Sequence, residues 1–194
     1  MKIKGNGQAK ILNPAEIKAL FTELQKVPRD ECFFAIMFFT GCRVSEARQL
    51  ETGDINLVNN PATRNLGTIT FRKGNTKGKL KTRCVPIHPA LIRHLEAYQP
   101  KRGKGLMFPG RISSEPICRN TPDRILRGAC KDLGIIGVST HSFRRSALTT
   151  MHRAGVPLRV IQEISGISSL EVLQRYLEID DEQVIEAIHV LSSW

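Results

Sequence analysis

The spacing of apolar residues along the chain predicts a protein built mainly from short amphipathic helices. Apolar side chains recur every three or four residues in several segments, and most of these segments open on a residue that favours a helix start. Asn13, followed by Pro14 and Glu16, has the pattern of a capping box. The run CFFAIMFF at 32–39 is apolar on all sides, so we expect its helix in the middle of the core. The predicted helices begin near residues 14, 29, 43, 89, 121 and 181, with three more between 139 and 179.

The spacing of apolar residues changes from a helical to an alternating pattern in the middle of the chain. Residues 68–71 alternate as in a strand, and residues 84–87 resemble its partner. The intervening loop, 72–83, holds six basic residues and no acidic one, which suits a hairpin tip lying along a phosphate backbone. The fold class expected is therefore mainly α with a small antiparallel β-sheet (α+β). We expect a flexible lead-in over 1–11 and one domain over 12–194.

Composition indicates the kind of partner. The 194 residues carry a net charge of +11, which favours a polyanion and nucleic acid above an anionic membrane. Five scattered cysteines include no CxxC pair, so neither a disulfide framework nor a zinc site is expected. The N-terminus lacks the apolar region of a signal peptide, and the apolar run at 32–39 is too short to span a bilayer. These features predict a reducing, cytoplasmic location and no membrane partner.

Residues suited to phosphate chemistry occur at suggestive spacings. His141 and Arg144 are three apart in a segment of helical period, as are Arg43 and Glu46, and Tyr176 lies downstream. The alternatives are ordinary: Arg43 and Glu46 would suit a surface ion pair, and Tyr176 would suit packing. No cluster with metal-ligand spacing and no P-loop accompanies these residues, so metal-dependent nucleases and NTPases are disfavoured. No metal or cofactor is expected.

Four segments in order resemble the catalytic domain of the tyrosine recombinases, the lambda-type phage integrase family. They are TGCRVSEARQL, the basic hairpin running into VPI, THSFRRSALTTMHRAGVPLRVIQEISG, and the tyrosine nine residues after Ile167. The similarity extends from about Leu12 to Ile188. It implies a bacterial or phage-encoded site-specific recombinase or integrase of a mobile element. Such an enzyme cuts and rejoins double-stranded DNA through a 3′-phosphotyrosyl intermediate, without ATP or metal, as a homo-oligomer joined through the C-terminal helix.

The resemblance also implies a role for each matching residue. Tyr176 corresponds to the nucleophile and His141 to the general acid/base. Arg43 and Arg144 correspond to the arginines that hold the non-bridging phosphate oxygens, where planar bidentate donors stabilise developing charge. Glu46 corresponds to an acidic residue that orients its neighbours without reacting.

A hairpin lysine is expected to protonate the leaving 5′-oxygen. Lys77 is the first choice from its distance to Val85-Pro86, and Lys79 and Lys73 are the alternatives. The residues expected to contact DNA are Arg72, Lys73, Lys79, Lys81, Arg83 and Arg145.

The sequence departs from the family pattern in two places. Ile167 stands where the family has His or Trp, and losing one such donor costs about 10²–10³ in rate. Arg145 or Ser168 would have to replace it; otherwise Ile167 only extends an apolar face. The family's N-terminal core-binding domain is expected to be absent, in a natural minimal form or a trimmed piece. Two further interpretations stay open: a DNA-binding recombinase-like domain with weak or lost catalysis, and a type IB topoisomerase-like activity.

Overall fold

The computed structural model describes residues 8–58, 66–75, 81–100, 105–112, 114–177, 181–189 and 191. Helices dominate it, as the apolar spacing predicts. The α-helices are α1 (Pro14–Leu24), α2 (Pro28–Thr40), α3 (Val44–Arg48), α4 (Pro89–Ala97), α5 (Thr121–Asp132), α6 (Thr140–Arg153), α7 (Leu158–Ser165), α8 (Leu170–Gln174) and α9 (Asp181–His189). The capping box predicted for α1 is present: Asn13 Oδ1 accepts from the Glu16 N–H, and the Glu16 carboxylate accepts from the Asn13 N–H.

A three-stranded antiparallel sheet interrupts the helices. Its order is β1 (Ile55–Leu57), β2 (Gly67–Phe71) and β3 (Arg83–Pro86). The β2–β3 pairing confirms the predicted hairpin, with Phe71 opposite Arg83. Three residues are too few to show an alternating pattern, so β1 could not be predicted. The α+β class is confirmed.

The apolar helix α2 forms the centre of the core, as predicted. Residues 32–37 are all buried, and α2 packs against α1, α3, α4 and α6. An αL glycine, Gly41, ends the helix at φ +60°, and a Cβ there would lie 3.2 Å from Leu148. This close approach brings the end of α2 against α6, next to the candidate site.

A second apolar cluster holds the last helices together. Leu148, Ile161, Ile167 and Leu173 are buried in it, and Tyr176 packs on its side. The cluster joins α6, α7 and α8 around the turn that carries Tyr176. It therefore fixes the main chain on both sides of that tyrosine.

The final helix was expected to end at Trp194; α9 is described over Asp181–His189, and residues 190 and 192–194 lie outside the described residues. The lead-in was expected to be flexible throughout 1–11, yet the Lys10 N–H donates to Gly137 O at 3.2 Å, and Lys10 Nζ pairs with Glu16. Among the described residues, no helix has the length and apolar character needed to cross a membrane.

Candidate active site

The first turn of α6 carries the predicted His-x-x-Arg pair. His141 is exposed to solvent, whereas Arg144 is only 1% exposed. Desolvation by the surrounding protein, the charge of Arg144 and the charge of Arg43 lower the pKa of His141 below its usual value, and Asp123 opposes this shift. A lowered pKa favours the neutral imidazole, which is the form that accepts a proton.

The guanidinium of Arg144 lies between the C-terminal ends of two helices. Nη1 donates to Gly41 O at the end of α2, and Nη2 donates to Ser165 O at the end of α7 at 3.0 Å. Both helix ends carry partial negative charge, which favours the buried cation. Burial lowers the pKa of Arg144 to about 10, so the group stays charged at neutral pH. Its Nε is buried and has no hydrogen-bond partner among the described residues, so the N–H of this nitrogen is left for a bound anion.

Arg43 reaches the same region from the turn that precedes α3. Its backbone N–H donates to Glu46 Oε2 at 2.7 Å, and its Nη1 donates to Glu46 Oε1 at 3.3 Å. The Glu46 carboxylate is buried, and burial alone would raise its pKa. Hydrogen bonds and charge from Arg83 outweigh that effect, so the pKa of Glu46 is lowered and the group is ionised. The surface ion pair considered from the sequence is thus a buried one.

Tyr176 lies in a turn two residues beyond α8, not on a helix as its spacing suggested. Its N–H donates to Leu173 O at 2.8 Å, and its carbonyl accepts from Thr149 Oγ1 at 3.2 Å. The ring is half-buried, and Arg144 Cζ lies 5.6 Å from the ring centroid. This is within the range of a cation–π contact. The turn and the contact together hold the ring beside the buried guanidinium.

A cavity of 420 Å³ is lined by His141, Arg145, Tyr176 and Ala9 of the lead-in. The cavity brings His141 and Tyr176 together, and the cation–π contact places Arg144 beside Tyr176. Arg43 binds Glu46 close by. No group of three metal-ligating side chains occurs within the described part of the chain.

The basic hairpin is only partly described, and Lys77 and Lys79 lie outside the described residues. Arg72 pairs with Glu51 and Asp54, each at 2.7 Å. Lys73 is exposed just after β2, and its N–H donates to Thr82 Oγ1 at 3.0 Å.

Two other basic residues that were predicted to contact DNA interact with groups of the protein. Lys81 Nζ pairs with Glu163 on α7 at 2.5 Å. Arg83, in contrast, is buried at 6% exposure and forms hydrogen bonds with Glu46. The expectation that Arg83 contacts DNA does not fit this burial, because its guanidinium faces the protein interior.

Arg145 and Ile167 are both buried, and Arg145 also lines the cavity with His141 and Tyr176. Arg145 is 8% exposed, and its Nη1 donates to Ala9 O at 2.5 Å. Ile167 is 3% exposed and packs in the second apolar cluster. Its side chain extends an apolar face, which is the ordinary alternative considered from the sequence.

The internal role of Arg83 was not predicted from the sequence. The alternation of inward and outward residues along β3 indicates it, because Arg83 and Val85 are two apart and both face inward. An arginine on the buried face of a strand requires an internal anion, and Glu46 provides it.

Known proteins are similar in sequence to this chain over most of its length. The model of the phage integrase family matches residues 10–183. A tyrosine recombinase of Pseudothermotoga lettingae is 32% identical over 184 residues, which cover 93% of this chain and 60% of the relative. Tyrosine recombinase XerA of Pyrococcus furiosus is 31% identical over 184 residues, with 92% and 60% covered. The chain thus spans about 60% of the length of these relatives.

Solved structures show the same fold. The XerH site-specific recombinase, bound to its palindromic difH substrate in a post-cleavage complex, aligns with a TM-score of 0.75 at 22% identity. The alignment covers 97% of this chain and 55% of XerH. The catalytic domain of bacteriophage HP1 integrase aligns with a TM-score of 0.63 at 23% identity, and 87% of each chain is covered. The sequence match and the fold agree with the geometry of the site, and the chain belongs to the phage integrase family of tyrosine recombinases.

Proposed function

We propose that the protein is a site-specific DNA strand transferase in which Tyr176 is the nucleophile. The observation that carries this proposal is that Tyr176 shares one cavity with His141 and lies within cation–π range of the buried Arg144. A phenol needs a base or a positive field before it attacks a phosphodiester. Both are present beside Tyr176, as a neutral imidazole and a guanidinium.

The proposed reaction conserves one phosphodiester bond. The Tyr176 oxygen attacks phosphorus and passes its proton to His141, while the bond to the 5′-oxygen breaks and that oxygen gains a proton. The 3′-phosphotyrosyl ester then reacts in reverse with a 5′-hydroxyl. Arg43 and Arg144 stabilise the charge on the non-bridging oxygens, and the unpartnered Nε of Arg144 supports this role.

We propose a hairpin lysine as the acid for the leaving 5′-oxygen: Lys77, or in its place Lys73 or Lys79. The position of Lys73 supports the second choice, because its backbone is held to Thr82, the residue before buried Arg83. A 5′-bridging phosphorothiolate distinguishes them, because a thiolate leaves without a proton. Alanine at the acid should slow cleavage of the normal diester and leave the sulfur substrate fast, whereas alanine at the other lysines should not show this rescue.

Double-stranded DNA is the proposed substrate. The net charge of +11 supports it, as does a second cavity of 620 Å³ lined by Arg29, Arg111, Arg124 and Arg127 without an acidic side chain. Affinity should fall steeply as salt rises, since each neutralised phosphate releases counterions. We also propose a cytoplasmic location, because the DNA of a bacterial or phage-infected host lies there.

Covalent trapping tests the function without knowledge of the target site. A pool of randomised duplexes, each nicked near the prospective cleavage position, releases the short 5′-hydroxyl strand and makes the adduct permanent. Sequencing of trapped DNA should yield a preferred site with the unmodified protein and nothing with Tyr176→Phe. Absence of adduct on every member would refute the proposal in favour of a DNA-binding module. Relaxation of plasmids that lack the preferred site would instead identify a topoisomerase-like activity.

Catalysis should be slow because Ile167 donates no hydrogen bond from its side chain. We propose that cleavage is about 10²–10³-fold slower than it would be with a hydrogen-bond donor in the side chain at position 167. Ile167→His supplies the donor, so it should increase the trapping rate despite the loss of an apolar contact. An unchanged or slower rate in a folded Ile167→His protein would show that this position does not limit the reaction.

We also propose that α9 docks on a second copy of the chain on DNA. Val184, Ile185, Ile188 and Leu191 are each more than half exposed, which leaves an apolar stripe at helical spacing. Ile188→Glu should abolish dimers in sedimentation on DNA without changing monomer binding. Dimers that survive this change would refute the role of α9, and Lys131→Glu on α5 serves as the surface control.

A further inference from the structure

Every side-chain nitrogen of Arg83 donates a hydrogen bond to another group of the protein. Nη1 donates to Glu46 Oε1 at 2.9 Å and Nη2 donates to Glu46 Oε2 at 3.1 Å, in a two-bond fork. Nε donates to Ile164 O at 3.0 Å. The guanidinium also lies over Phe71, 4.2 Å from the ring centroid. One side chain therefore joins the hairpin, α3 and the end of α7.

The contacts of Arg83 with Glu46 and with Ile164 each lead to an arginine of the candidate site. Glu46 accepts from Arg83 and from both the backbone and the side chain of Arg43. Ile164 O is followed by Ser165 O, the acceptor of Arg144 Nη2. The two neighbouring carbonyls bind two different arginines. Displacement of Arg83 would therefore release Arg43 through Glu46 and move the carbonyl that orients Arg144.

The absence of a side chain at Gly166 leaves room for the guanidinium of Arg83. A Cβ on Gly166 would lie 2.9 Å from Arg83 Nη1, and the residue has a φ of +63°. Glycine alone meets both conditions without strain. The close approach lets the guanidinium lie against the turn between α7 and Ile167.

We propose that Arg83 is a positioning residue for strand cleavage, which sets Arg43 through Glu46 and Arg144 through the end of α7. The proposal rests on the proposed function of the site. Lysine at this position keeps the charge but loses the fork and the third donor. A misplacement of the phosphate-binding groups by about 1 Å costs roughly 10²-fold in rate.

A neutral substrate distinguishes positioning from folding. When a methyl group replaces one non-bridging oxygen, the phosphate at the cleavage position loses its charge. Its stabilisation by the arginines then contributes less to the cleavage rate. On the preferred site from the trapping experiment, Arg83→Lys should cleave the normal diester about 10²-fold more slowly. Its rate on the methylphosphonate should fall far less. Leu20→Ala, a buried change in α1, provides a control of comparable instability, and it should slow both substrates equally.

A double-mutant cycle tests the path through Glu46. If Arg83 acts by setting Arg43, then Arg83→Lys should cost much less in an Arg43→Gln background than in the unmodified protein. Equal losses on both substrates, or additive losses with Arg43→Gln, would overturn the proposal.

Nitrogen-15 spectra give a readout that needs no substrate. Arg83→Lys should shift the side-chain Nε–H signals of Arg43 and Arg144, whereas Leu20→Ala should leave them in place. If unmodified protein forms no adduct, the proposed function fails, and these spectra still decide whether Arg83 sets the two arginines. Unmoved signals in folded Arg83→Lys would refute positioning on their own.

Discussion

Replacing Glu46 by glutamine should destabilise the protein by far more than an ordinary charge removal. The carboxylate accepts four hydrogen bonds: two from the Arg83 fork, one from the Arg43 N–H and one from Arg43 Nη1. Each oxygen therefore faces one donor of Arg83 and one of Arg43. Whichever way the glutamine amide is turned, its NH₂ group meets two donors. Two hydrogen bonds are lost, and the buried guanidinium of Arg83 and the partly buried one of Arg43 lose their anion.

The size of the loss follows from the burial of the pair. Breaking a buried ion pair by removal of one partner costs about 3–5 kcal/mol, because the remaining charge is uncompensated. Urea unfolding of Glu46→Gln at pH 7 should show this loss of unfolding free energy. Glu51→Gln is the matched control, since Glu51 pairs with Arg72 at the surface and should cost less than about 1 kcal/mol.

The pH dependence provides a second check. The native pKa of Glu46 lies below its usual 4.5, so the folded protein binds this proton less readily than the unfolded chain does. The stabilisation is fully present above the unfolded pKa and is lost as the pH falls through the native one. The difference between the two proteins should be constant near neutrality and shrink in acid. A difference below about 1 kcal/mol, or one that persists unchanged in acid, would refute the assigned network.

Three further outcomes are expected. Gly166→Ala should destabilise the protein by more than about 1 kcal/mol in urea unfolding, because it combines a φ of +63° with a contact to Arg83; an equal stability would contradict the close approach. Ile167→Ala should cost about 2–4 kcal/mol in the same assay, whereas a smaller loss than about 1 kcal/mol would contradict its burial. In proton NMR titration, the pKa of His141 should lie below its ordinary value and rise in Arg43→Gln; a fall would contradict the assigned charge effect.

Local patterns in the sequence were sufficient for much of the fold. The apolar run at 32–39 predicted the central helix, and alternation at 68–71 predicted the hairpin. Both follow from periodicity, which is a property of neighbouring residues. The strand at 55–57 has too few residues to show a period.

Long-range contacts were beyond the sequence. The three-residue spacing of His141 and Arg144 predicted one shared face, yet one side chain is exposed and the other buried. The carbonyls of Gly41 and Ser165 draw Arg144 inward, and they are distant in the chain. Arg83 was counted among loop cations for the same reason, since its anion, Glu46, lies 37 residues away.

The charges around the site fit a transition state better than a resting substrate. Arg43, Arg83 and Arg144 contribute three positive charges and ionised Glu46 one negative charge, so the group carries +2. Burial raises the pKa of the neighbouring Cys42 thiol to about 12, so no thiolate reduces this sum. A phosphodiester carries a single negative charge, whereas the phosphorane formed as Tyr176 gives its proton to His141 carries two. The negative charge next to the arginines therefore grows as the new bond forms, and interactions that strengthen at that point increase the rate and not merely the affinity.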